Sequence, residues 1–76
     1  MAAIPLRSDW DAGRVRAAAR EAADGDQVRR LLAIAAVYEG QHRSEAARVG
    51  AMDRQTLRDW VHRFNQEGAG RKVRAG

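Results

Sequence analysis

Apolar positions recur at helical spacing in four separate stretches of the chain, and polar or glycine residues punctuate the gaps between them. Val15, Ala18, Ala19 and Ala22 form a narrow stripe that predicts a first helix from about Asp11. Trp10, just outside it, is placed to pack on Val15 as a hydrophobic staple. Gly13 weakens the first turn by roughly 1 kcal/mol relative to alanine. The break Ala23, Asp24, Gly25, Asp26 supplies two aspartates able to cap the next helix, predicted over about residues 27–39. From Leu31 to Tyr38 that helix is apolar nearly all round, which makes it the central one, with Val28, Leu31, Leu32 and Ala35 as its primary face. Tyr38 reads as a boundary residue with its hydroxyl at the rim, and Gly40 as a left-handed cap.

The organising stretch is residues 46–64, which reads as the end of a short third helix (residues 43–49), a tight turn, and a longer fourth helix over residues 54–67. Ala46 and Ala47 are small enough to let two helices approach closely, and Asp53 is a good N-cap for the fourth. The cap of the third helix is either His42, which would put Glu45 at the third helical position, or Ser44, the better capping residue by type. In the turn, Ala51 occupies the left-handed position at a cost on the order of 1 kcal/mol, or Gly50 takes it with a shifted turn. Trp60, Val61 and Phe64 fall within about 60° of Leu57 on the fourth helix, and the four are assigned to the core. Gln55, Asp59, His62 and Gln66 lie opposite, with Arg58 on their flank, a set of donors and acceptors suited to base edges and phosphates. The pattern therefore predicts an all-α fold, a small bundle of about four helices containing a helix-turn-helix. Residues 1–8 are expected as a flexible arm, residues 9–68 as the domain, and residues 69–76 as a disordered basic tail.

Seventy-six residues hold one small domain with a modest core. The formal charge of +4 is unevenly placed. Residues 1–42 carry six basic and six acidic groups, whereas residues 43–76 carry eight basic and four acidic, so the excess lies in the half that holds the two-helix motif. That polarity suits a chain docking one side on a polyphosphate. The absence of cysteine excludes disulfides and thiolate chemistry, and no stretch approaches the roughly 20 apolar residues of a membrane span. The expectation is a cytoplasmic, nucleoid-associated protein.

Catalytic readings fail on spacing. His42 and His62 are the only histidines and lie twenty positions apart without a partner ligand, so no metal site is expected. Asp53 and Asp59 point in different directions on a helix, and capping already accounts for Asp53. No nucleophile–base cluster and no glycine-rich phosphate loop occur. Neither a cofactor nor a small-molecule ligand is expected.

The run from Arg29 to Gly68, and within it EAAR followed by MDRQTLRDWVHRFN, closely resembles the N-terminal DNA-binding region of bacterial insertion-sequence transposases of the mariner-like DDE superfamily. The family usually has glycine where this chain has Ala51, and a Gly-Arg-Pro type linker where this chain has GAGRKVRAG. The resemblance implies a homeodomain-like or paired-like helix-turn-helix, and recognition without catalysis, since the family's three catalytic acidic residues belong to a domain not represented in these residues.

On this reading the fourth helix enters the major groove of double-stranded DNA and the third crosses the backbone. Arg54, Gln55 and Arg58 would reach bases, with Asp59 and His62 beside them; Arg43, Arg48, Thr56 and Arg63 and the tail residues Arg71, Lys72 and Arg74 would serve phosphates. Beyond DNA, the partners it allows are a second copy of the chain or the remainder of a transposase. A helix-turn-helix transcriptional regulator is the alternative on the same fold, and a helical protein-interaction module is the alternative of a different class.

Overall fold

The computed structural model describes residues 5–68. Four helices are formed: α1 (Ala12–Glu21), α2 (Gly25–Tyr38), α3 (Arg43–Val49) and α4 (Arg54–Glu67), with no strand among the described residues. The all-α, four-helix architecture read from the apolar pattern is the one observed.

Local chemistry sets each boundary. Asp11, Asp24 and Asp53 stand at the N-caps of α1, α2 and α4, and their carboxylates accept from the backbone N–H of Arg14, Asp26 and Thr56. Each thereby satisfies an amide that the helix itself leaves without an acceptor. The second helix starts two residues earlier than its hydrophobic pattern suggests, because the Asp24 cap reaches ahead of the first apolar residue. His42 is the N-cap of α3 but makes no side-chain capping bond. At the end of α2, Gly40 has φ 89°, and the N–H groups of Gln41 and Gly40 return to the carbonyls of Ala36 and Val37, closing a Schellman motif.

The core is built around α2, which packs against each of the other three helices, while α1 packs only on α2. Val15 and Ala19 of α1, Leu31, Ala33, Ile34, Ala35 and Ala36 of α2, Ala46 and Ala47 of α3, and Leu57, Val61 and Phe64 of α4 are buried. The small residues of α2 and α3 allow close approach, and the large ones of α4 fill the remaining space. Of the face expected on α2, Leu31 and Ala35 are buried, whereas Val28 and Leu32 pack at the edge of the core.

Two expectations need correction. The first concerns the arm. Residues 1–4 lie outside the described residues, but Pro5 to Ser8 are strapped onto the bundle: the Asn65 amide accepts from the Arg7 N–H (2.9 Å) and donates to the Pro5 carbonyl (2.9 Å). The Tyr38 hydroxyl donates to the Arg7 carbonyl (2.6 Å), so the strap is tied to α2 and α4 together. Leu6 and Trp10 pack against the core beneath it. Trp10 meets Phe64 edge to face, with centroids 5.4 Å apart, and lies against Gly68, where a β-carbon would come within 3.2 Å of its ring. The second concerns Trp60, which is half-buried at the edge of α4, leaving Phe64 as the aromatic of the core.

Candidate nucleic-acid interface

The geometry of the α3–α4 unit begins at the turn. Ala51 has φ 57° and is the left-handed residue, while Gly50 has φ −88°. The N–H groups of Met52 and Ala51 return to the carbonyls of Ala47 and Arg48 at 2.9 and 3.0 Å, a second Schellman motif with alanine where glycine is customary. Gly50 is required for a different reason: a β-carbon there would lie 2.6 Å from Met52 Cε, 3.0 Å from Ala33 Cβ and 3.1 Å from the Arg29 carbonyl oxygen. The turn is thus pressed onto α2. Directly after it, Asp53 caps α4, and hydrogen bonds from Thr56, side chain and then backbone, hold its carboxyl below the ordinary aspartate range.

With Leu57, Val61 and Phe64 turned into the core, the opposite side of α4 is fixed in direction. Gln55, Asp59, His62 and Gln66 are exposed along that outer line, and Arg54 and Arg58 are exposed on the flank toward its start. Thr56 is exposed with its N–H held by Asp53. On α3, Arg48 is exposed in the last turn and Arg43 is half-buried at the first position. A shallow depression at the turn, lined by Ser44, Arg48, Met52 and Arg54 among others, separates the two helices on the outside. Arg71, Lys72 and Arg74 lie outside the described residues.

Arg63 is exposed and stands on the other flank, its guanidinium carbon 5.2 Å from the centroid of the Trp60 ring. Arg30, which was not among the residues singled out from the sequence, covers the same ring at 3.9 Å. It lies in the half of the chain where charges balance, so charge distribution did not point to it. The only signal was an aromatic at the margin of the predicted apolar face of α4, a position where a ring must be covered by something. Asn65 was also missed; a weak helix former inside a helix invites the question of what its amide binds. Groups of acidic residues, histidines or cysteines able to hold a metal are not found among the described residues. No helix among them is long and apolar enough to cross a membrane.

A short helix, a tight turn and a capped second helix with a polar, solvent-facing side define a helix-turn-helix module, a DNA-binding fold. The chain belongs to the winged helix-turn-helix family, whose model matches residues 30–76. The match takes in α3, α4 and most of α2, and leaves α1 outside it. The chain is also 52% identical over 66 residues to an uncharacterized protein, y4pG/y4sC, of Sinorhizobium fredii. That alignment covers 87% of this chain and 34% of the relative, so the chain spans about a third of the relative's length. No solved structure matches it.

Proposed function

We propose that this chain reads double-stranded DNA in sequence-specific fashion with α4, and that its target is the terminal inverted repeat of an insertion sequence, recognised as the N-terminal part of a transposase. The observation that carries the DNA reading is the outer line of α4, where Gln55, Asp59 and His62 are solvent-facing on a helix whose other side is locked into the core. Such a helix fits the major groove, and its first turns place Arg54, Gln55 and Arg58 against base edges. Arg58 is suited to guanine and Gln55 to adenine by paired hydrogen bonds, while Arg43, Arg48, Thr56 and Arg63 serve phosphates. The narrower assignment to a transposase is supported by EAAR and MDRQTLRDWVHRFN, which span α3, the turn and α4.

The test is selection of bound sequences from a random duplex pool, followed by a footprint of the enriched site. Enrichment of a motif found at the ends of a mobile element supports the proposal. A motif found at promoters would favour a regulator of the same fold, and failure to enrich any motif would overturn sequence-specific reading.

A further inference from the structure

The guanidiniums of Arg7, Arg16 and Arg29 are ion-paired with Asp9, Glu39 and Asp26. Those of Arg30 and Arg63 are not: each meets the indole of Trp60, and neither has a carboxylate within ion-pairing distance among the described residues. Both line one groove between the first half of α2 and the second half of α4, together with Gln27, Leu31, Ile34 and Glu67. Stacking on an aromatic ring holds a guanidinium in place while leaving its N–H groups available to an anion. The pair is therefore a doubly cationic feature whose donors have no acceptor among the described residues.

We propose that Arg30 is a DNA-contact residue, and that Arg30 and Arg63, held on Trp60, grip the phosphate backbone along the α2 side of the groove that α4 enters. The proposal rests on the reading of α4 as the DNA-facing helix. A helix in the major groove has a phosphate wall on each flank. On the flank toward α3, Arg54 and Arg48 supply cations. On the flank toward α2, α4 contributes Arg63 and Thr56, and the neighbouring helix contributes Arg30. Glu67 lines the far end of the groove, which favours an anion toward the Thr56 end of α4. Arginine forks pair bidentately with phosphate oxygens, so two of them side by side suit a phosphate backbone.

The test compares the parent with Arg30→Gln and Arg30→Lys on a selected duplex and on an unrelated one over a range of salt. Arg30→Gln should weaken both duplexes by the same factor and reduce the log–log salt slope by about 0.9, the value for one lost phosphate contact. Arg30→Lys should keep the slope while losing part of the affinity, which separates lost charge from lost fold. In a Trp10→Phe background Trp60 is the sole indole, and duplex addition should change its emission in the parent and less so in Arg30→Gln. Unchanged affinity and slope in Arg30→Gln, with the parent still binding in a salt-dependent way, would overturn this assignment and leave the reading of α4 intact. A change in base preference would overturn it too, since a phosphate contact carries no sequence information. If the parent bound no duplex at all, the DNA reading beneath it would fall instead.

Discussion

The guanidinium of Arg30 on α2 lies 3.9 Å over the ring of Trp60 on α4, so the largest side chain of α4 is half-buried under a cationic surface. Phe64, one turn further on, is buried and makes T-shaped contacts with Trp10 and Tyr38, at centroid distances of 5.4 and 6.0 Å. The two aromatics should therefore differ in what their removal costs. Phe64→Ala is expected to lose about 3–5 kcal/mol, enough to leave so small a domain largely unfolded. Trp60→Ala should lose about 1–2 kcal/mol, from partial burial and the cation–π contact. Thermal melts of the two variants check this, and equal losses would mean that Trp60 belongs to the core after all.

That difference marks where sequence reasoning stops. Helical periodicity located all four helices, and it put Trp60 and Phe64 on one face because they are four positions apart. The wheel does not reveal which edge of that face a neighbouring helix covers; the crossing of α2 over α4 decides it, and brings Arg30 to Trp60. The N-terminal strap was illegible for a similar reason. Its hydrogen bonds join Pro5 and Arg7 to Asn65, about sixty positions away, and no local pattern encodes such a pairing. The caps Asp53 and Gly40, by contrast, act within a few residues and were readable directly. Of the candidate interface, the exposed side of α4 was legible from periodicity, and the contribution of α2 was not.

The turn yields a pair of substitutions with opposite signs. Ala51→Gly should stabilise by up to about 1 kcal/mol, since glycine relieves the strain at φ 57° by more than it adds unfolded-state entropy. Gly50→Ala should destabilise by about 1–3 kcal/mol, because the new methyl group would strike the Arg29 carbonyl and Ala33, which belong to a helix and cannot easily move. Denaturant titration of both variants tests the assignment, and a loss of stability in Ala51→Gly would contradict it.

The Asp53 cap should make the α3–α4 unit sensitive to acid. Hydrogen bonds from Thr56 lower the folded-state pKa of this carboxyl below its unfolded value. A group shifted in that direction contributes stability that is fully present above the unfolded value and is lost as pH falls through the folded one. Unfolding midpoints followed from neutral pH to below the ordinary aspartate range should thus fall more steeply in the parent than in Asp53→Asn. Asn keeps the capping acceptor but does not titrate. Parallel curves would show that the cap does not contribute to the acid response.

The strap gives a prediction about both ends of the domain. Asn65→Ala removes the acceptor of the Arg7 N–H and the donor to the Pro5 carbonyl, and should cost about 1–2 kcal/mol. Tyr38→Phe removes the donor to the Arg7 carbonyl and should cost about 0.5–1.5 kcal/mol. In both variants the Arg7 amide should exchange with solvent faster, while amides in the middle of α2 should change only as far as global stability does. Exchange rates at Arg7 equal to those of the parent would show that the strap is held by Leu6 and Trp10 packing and not by these bonds.

The last prediction separates reading from anchoring. If α4 lies in the major groove, Gln55→Ala and Arg58→Ala should each remove roughly 1–3 kcal/mol of preference at one or two base pairs, because a side chain paired to a base edge discriminates among bases. Arg48→Ala, at the end of α3, should weaken all duplexes alike and lower the salt slope by about 0.9, as a phosphate contact does. Binding of each variant to a panel of single-base variants of the selected site, at two salt concentrations, distinguishes the two behaviours. The structure makes the comparison clean. Gln55, Arg58 and Arg48 are all exposed and none packs in the core, so their removal should leave the melting temperature nearly unchanged. If the α4 variants weakened every duplex equally and Arg48→Ala changed base preference, α4 would not be the reading helix. The roles of α3 and α4 would then be exchanged.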